Sequence, residues 1–422
     1  MQRQANTYKE VFGDPQFDPP PYPSSLRDRS ESSASTAAES SQPLERADST
    51  SVDAQGPPPP YHTVGRGLIN GVEKPAIPKD SLVLVTGANG WLGMHVVDQL
   101  LEHGYRVRGT VRSAEHAVST SGCFSRKYGP GRFTTAVIPD MVPKDAFHIA
   151  VRGCAGVIHV ASVMNFSPDP NEVIAPSIAG ALNALEAAAK ESGVKRFVYC
   201  SASAAAVAQG SGYREDVTSD SWNMASFRTA WEPPPYEIDR AWAVFASSKM
   251  QTEQAVWRWY NQREWRVNFA LNTVLPSMLW GKVLDMQAQG IRSTVAELKL
   301  IYGGNAAATA WIPPQYFVDV QDAALLHVAA LLLPDIKGQR LFAAESPYNI
   351  NSLLQLLRGL YPDRVFEGDV SDHGADLSVF KEAPKAEALL KRMGKQGWTD
   401  IETSIGRSCE AFMTRSGASG SS

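Results

Sequence analysis

Cysteine is scarce in this chain. Only Cys123, Cys154, Cys200 and Cys409 occur in 422 residues, and none sits at a metal-binding or dithiol spacing. That excludes a disulfide-stapled secreted scaffold and a zinc module, predicts no metal site, and fits a reducing, cytoplasmic setting. Excess charge of one sign is also lacking. Forty Lys and Arg against 44 Asp and Glu leave a net charge of −4 with no basic run, which argues against a nucleic-acid partner. No apolar run approaches the roughly eighteen residues that a membrane span needs, and no signal-peptide core opens the chain.

Apolar periodicity is what residues 1–76 lack. They are rich in proline and serine, and such composition buries too little surface to offset its ordering entropy, so a disordered head is expected. Two stretches within it, Pro19-Pro20-Pro21-Tyr22 and Pro58-Pro59-Pro60-Tyr61, fit the Pro-Pro-x-Tyr pattern read by WW domains. A plain solvated spacer is the alternative reading of the same residues.

Structure begins with residues 81–113. A short β-branched run at residues 82–85 predicts a buried parallel strand. Thr86 leads into Gly87-Ala88-Asn89-Gly90-Trp91-Leu92-Gly93, after which Trp91, Leu92, Val96, Val97, Leu100 and Leu101 fall at helical spacing. Gly104 stops that helix, and residues 105–111 alternate as a second strand. Strand, glycine turn, helix and strand within about thirty residues is the context of a dinucleotide-binding unit. The glycines allow a tight turn, close approach of a pyrophosphate and close helix–strand packing, while the helix N-terminus offers free N–H groups to phosphate. The second strand ends in Thr110-Val111-Arg112 with no acid beside it. An arginine there suits the 2′-phosphate of NADP rather than the ribose hydroxyls of NAD; a solvated surface charge is the alternative.

Strand and helix then alternate. Residues 133–137, 156–162 and 266–274 read as strands, residues 196–203 as a further strand and its exit, and residues 175–192 and 242–263 as helices. This order predicts an α/β fold with a Rossmann-type doubly wound parallel sheet. His159, inside an apolar run, reads as a packed core residue. The small-residue loop from Ala161 would let the middle of the cofactor pass. Residues 210–240 form a long irregular insertion with Trp222, Trp231 and a third proline–tyrosine run, expected as a lid over the substrate. The division expected is a head at 1–76, an NADP-binding domain at 77–280, mostly substrate lobe at 281–415 and a flexible tail at 416–422.

The glycine motif Thr86-Gly87-Ala88-Asn89-Gly90-Trp91-Leu92-Gly93 resembles that of the extended short-chain dehydrogenases/reductases. With Thr110-Val111-Arg112, Val194-Lys195-Arg196-Phe197-Val198, Leu275-Pro276 and Ile312-Pro313-Pro314-Gln315-Tyr316-Phe317-Val318-Asp319-Val320, it is similar to the dihydroflavonol 4-reductase-like branch. Yeast and fungal aldehyde/ketone reductases of that branch are nearest in pattern. The likeness runs from Ser81 to about Phe412 and implies NADP(H) as cofactor. It also implies that Asp140-Met141 lines the adenine pocket, though a loop acid without a role reads as well at Asp140. Gly87, Asn89, Gly90, Trp91, Leu92, Gly93, Arg112, Asp140, Met141, Ala161, Lys249 and Pro276 are the expected cofactor contacts.

Such reductases use a serine, a tyrosine and a lysine, the lysine four residues after the tyrosine on one helix face. Lys249 matches the lysine, but Phe245 stands at the tyrosine position and has no proton to give. Ala202 occupies the usual serine position; Ser201 is the expected replacement, and it or Ser203 would serve only if the turn shifts. Three readings stay open: an NADP-dependent carbonyl oxidoreductase of fungal specialised metabolism, a non-redox dehydratase or epimerase of the same fold, and a nucleotide-binding pseudoenzyme recruited through the head. Deleting residues 1–75 is expected to leave folding and NADPH binding intact while abolishing any WW-domain capture, and Tyr22→Ala with Tyr61→Ala should reproduce that loss in a pull-down. An aggregated truncation, or undiminished capture by the double variant, refutes this division of labour.

Overall fold

The computed structural model describes residues 74–212, 214–309, 311–370 and 374–413; the head with both Pro-Pro-x-Tyr stretches and the 416–422 tail lie outside these. In chain order the first half holds β1 (Leu82–Thr86), α1 (Trp91–Glu102), β2 (Arg106–Val111), α2 (Ala114–Tyr128), β3 (Phe133–Val137), β4 (Gly156–His159), α3 (Pro170–Lys190) and β5 (Arg196–Cys200). The second half holds β6 (Asp216–Val217), α4 (Met224–Ala230), α5 (Ala241–Asn261), β7 (Ala270–Pro276), β8 (Met278–Trp280), α6 (Thr294–Tyr302), β9 (Gln315–Asp319), α7 (Val320–Leu332) and β10 (Arg340–Ala343). It ends with β11 (Ser346–Tyr348), α8 (Ile350–Leu360), β12 (Val379–Phe380), α9 (Ala383–Arg392) and α10 (Ile401–Met413).

Seven of these strands form one parallel sheet in the order β10-β7-β5-β4-β1-β2-β3. The doubly wound expectation is met. Because β1 sits between β4 and β2, the chain reverses direction across the sheet there, and a crevice opens beyond the carboxyl ends of these strands. The central strands β1, β4 and β5 are buried along nearly their whole length because helices cover both faces of the sheet. Val83, Val85 and Val107 face one core with α1, while Leu84, Val157 and Phe197 face the other with α3.

Two elements from the later part of the sequence return to this sheet. β10 extends its edge beside β7, pairing Arg340 with Thr273 and Ala343 with Pro276. α7 is buried around nearly its whole circumference, twelve of its thirteen residues being enclosed, because it lies against the sheet and α1 together. Buried polar side chains fasten its C-terminal end: Asn272 donates to the carbonyls of Ala330 and Ile336, and Arg196 to those of Ile336 and Pro334. No helix among the described residues is long and apolar enough to cross a membrane. A second sheet, β11-β9-β8, supports the wall of the smaller lobe.

The insertion at residues 210–240 is not a lid. Met224 and Phe227 pack beside Leu275 and Phe342, and Trp222 lies 3.9 Å from the Arg340 guanidinium. The Ser219 and Ser221 carbonyls accept from the same guanidinium at 2.7 and 2.9 Å. Trp222 and Phe227, which suggest a substrate cover, are spent on the sheet edge, and Trp231 packs beside Val173 and Val244 on α3 and α5.

Arg340 also reaches Glu253 on α5, at 2.9 and 3.1 Å, with both side chains fully enclosed. Thr273, Ser201 and Trp257 donate to the same carboxylate. Losing either charged partner strands the other in a medium that solvates it poorly, at a cost of about 3–5 kcal/mol. Arg340→Met is therefore expected to lower the urea midpoint by that equivalent. Unchanged stability contradicts the assignment.

Candidate active site

The crevice over β1, β4, β5 and β7 is a cleft of about 710 Å³. Its floor begins at the glycine turn. Gly87 adopts φ +66°, and a Cβ there would press on the Ala161 backbone at 3.2 Å. A Cβ on Gly93 would lie 2.1 Å from the Gly87 carbonyl oxygen, so α1 sits on the turn only because residue 93 is glycine. Gly90 caps α1 without any side-chain acceptor, leaving the first-turn amides open toward the cleft.

Thr86 joins the turn to the strand beside it. Its Oγ1 accepts from the amides of Val160 and Ala161, both at 3.0 Å, and lies 3.0 Å from His159 Nδ1. With two N–H groups already donated to it, the hydroxyl gives its own proton to Nδ1. Nδ1 is therefore the unprotonated nitrogen. Burial holds the His159 pKa down at about 3, and Lys249 adds to the effect. The imidazole is a neutral core group, as its apolar run implied.

All twelve expected cofactor contacts line this cleft. Arg112 stands at its outer end, exposed and without a hydrogen-bond or ion-pair partner among the described residues. Asp140 accepts from the Val142 amide at 2.9 Å, shaping the turn that carries Met141. Asn183, which sequence reasoning missed, holds that turn by donating to the carbonyls of Met141, Val142 and Pro143. Trp91 donates to the Leu279 carbonyl, and Gln289 donates back to the Trp91 carbonyl, tying the glycine turn to the chain after β8. An open helix start, a turn that excludes Cβ atoms and a free guanidinium fit a dinucleotide phosphate.

Lys249 is 6% exposed, and burial lowers its pKa. Its ammonium group has no hydrogen-bond or ion-pair partner among the described residues, although it borders a cleft lined by polar atoms. Such a group calls for acceptors from outside the protein. One turn before it, Phe245 presents only a ring, stacked on Phe166 at 5.1 Å.

Ser201 and Ser203 flank Ala202. Ser201 lines the cleft, but its hydroxyl donates to Glu253 Oε2 at 2.8 Å and so belongs to the buried Arg340 network. Ser203 accepts a long 3.4 Å bond from Gln209, and its own proton is not committed to any described acceptor. Ala202 contributes no polar group.

The remaining wall was not legible as a site. Phe166, Trp242 and Phe245 line the cleft, and Trp311 packs on Phe166 and Trp242 at 5.8 and 6.0 Å. Trp242 lies three residues before Phe245, a spacing that does mark one helix face. Phe166, Glu297, Gln315 and Trp311 come from distant segments and carried no such mark.

The family model described as "NAD dependent epimerase/dehydratase family" matches residues 83–227. Aldehyde reductase 2 of Sporidiobolus salmonicolor is 41% identical over 336 residues, spanning 79% of this chain and 96% of its own. Ketoreductase adrE of Penicillium rubens is 34% identical over 336 residues, spanning 78% and 96%. Gre2 of Candida albicans, solved in complex with NADPH, shares the fold with a TM-score of 0.67 at 24% identity, over 80% of this chain and 99% of its own. With 41% identity sustained across nearly the whole of that aldehyde reductase, the chain belongs to the NAD dependent epimerase/dehydratase family of extended short-chain dehydrogenases/reductases.

Proposed function

We propose that this chain is an NADP(H)-dependent oxidoreductase that reduces the carbonyl group of a small molecule, in specialised metabolism and in the cytoplasm. Lys249 carries the reading: a buried, unpartnered ammonium group in a cleft that starts at a phosphate cradle. The aldehyde reductase and ketoreductase to which the chain is similar support the same reaction class. The two Pro-Pro-x-Tyr stretches lie outside the described residues, and the proposal does not draw on a WW-domain partner.

The residues divide the work. The first-turn amides of α1 at Trp91 and Leu92 would hold the pyrophosphate, and Arg112 the 2′-phosphate. Asp140 and Met141 would border the adenine, and Ala161 and Pro276 the middle of the cofactor and its nicotinamide end. Lys249 would donate to the ribose hydroxyls. When bound, NADPH supplies a hydride from its nicotinamide ring. The carbonyl oxygen then needs a proton and a hydrogen-bond donor, and Phe245 and Ala202 offer neither. Ser203 has the uncommitted hydroxyl nearest in sequence to the vacant serine role. The apolar ring at 245 is also the observation that favours the second reading, a protein that binds NADPH without ordinary turnover.

Two outcomes test this. NADPH should bind about tenfold to a hundredfold more tightly than NADH, the worth of a charge-assisted contact of about 1.5–3 kcal/mol, and Arg112→Ala should erase the difference in a fluorescence titration. Equal affinities in the native protein refute the role of Arg112. Generic aldehydes and ketones should be reduced slowly, since a missing general acid costs about 10²–10⁴-fold, while NADPH binding persists. Phe245→Tyr combined with Ala202→Ser should raise that rate well above the native value. A double variant that binds NADPH but gains nothing moves the non-redox and scaffold readings ahead.

A further inference from the structure

Across the cleft from the phosphate cradle, the smaller lobe contributes a second polar end. Glu297, in the first turn of α6, borders both the main cleft and a small void of about 10 Å³ beside Met278, Trp280 and Tyr348. Its Oε2 is buried and has no hydrogen-bond partner among the described residues. Burial alone pushes the carboxyl up to about 7, and no cation stands close enough to draw it back. Ser277 Oγ and Gln209 Oε1, both lining the same cleft, are likewise buried without partners. A carboxylate oxygen and an amide oxygen only accept, so Glu297 Oε2 and Gln209 Oε1 each await a donor, whereas the Ser277 hydroxyl can give or accept. Unpaired buried acceptors are costly in a finished core but serve a purpose where a ligand completes them.

The same cleft is lined by a set of packed rings. Phe166 stacks on Phe245 at 5.1 Å, Trp242 meets Phe245 at 5.5 Å, and Trp311 closes the set. Phe166 holds its place at φ +49°, a left-handed conformation that a bulky residue adopts only where the surroundings enforce it. Rings of this kind favour a planar aromatic partner in offset or edge-on contact.

We propose that Glu297 makes this a site for hydroxyaryl carbonyl compounds, the aryl ring lying against Phe166, Trp242 and Phe245 and the ring hydroxyl donating to Glu297 Oε2. The proposal rests on the reductase reading and names its substrate class. Glu297 thereby acts in specificity, remote from proton transfer to the carbonyl.

Binding to the full chain saturated with NADP⁺ tests it, with 4-(4-hydroxyphenyl)butan-2-one, its deoxy counterpart 4-phenylbutan-2-one and the 4-aminomethyl analogue as probes, followed by calorimetry. The hydroxylated ketone should bind at least tenfold more tightly than the deoxy ketone. Glu297→Leu should bring the two within about twofold, and Glu297→Gln, which keeps an acceptor oxygen in the same shape, should retain part of the preference. Equal affinities in the native protein, a preference that survives Glu297→Leu, no measurable binding at millimolar concentration, or tighter binding of the amine each overturns the assignment. The same ketones with NADPH report the reaction separately. A preference in binding without any reduction removes the reductase reading and leaves the recognition site standing; reduction without a preference does the reverse.

Discussion

The carboxylate of Glu253 is the point on which the architecture depends. It takes hydrogen bonds from Arg340 on β10, Thr273 on β7, Ser201 after β5 and Trp257 on its own helix. One buried anion thus joins two strands of the sheet, the exit of a third and the helix that bears Lys249 one turn earlier. Arg340 then gathers the carbonyls of Ser219 and Ser221 and the ring of Trp222, so the insertion closes the shell around the pair. Buried pairs are expensive unless every hydrogen-bonding position is filled, and here the filling is what specifies how α5 sits on the sheet.

That placement has a direct consequence for the site. Lys249 is held at the cleft by a helix pinned from behind, and its ammonium has no acceptor among the described residues. Ser201, which also lines the cleft, gives its hydroxyl proton to Glu253 on the same helix. On the other flank, Thr86 uses its hydroxyl three ways, twice as acceptor and once as donor to His159, to align the ends of β1 and β4. The crevice lies between these two buried polar devices. Its substrate side carries a left-handed backbone at Phe166 and buried polar atoms without partners among the described residues at Glu297 and Ser277. Natural sequences break local rules chiefly where a ligand supplies the missing partner.

What the sequence determined by itself is the nucleotide half. Its signals are local: β-branched runs of strand length, a glycine turn whose spacing is dictated by contacts between neighbouring residues, and a lysine at helical distance from residue 245. Gly87 and Gly93 could be placed because what requires glycine there, a positive φ at residue 87 and the approach of residue 93 to the Gly87 carbonyl, lies within one strand–turn–helix unit. What only the tertiary structure decided is everything made by segments far apart in the chain. The return of β10 to the sheet rests on four short residues with no distinctive pattern. The commitment of Ser201 to Glu253 spans 52 positions and that of Arg340 spans 87. The insertion's aromatic residues look alike in sequence whether they cover a ligand or a guanidinium. Glu297 reads as an ordinary helix-start acid until burial removes its water and leaves its oxygen without a partner, because desolvation is a property of the packed surroundings and not of the residue.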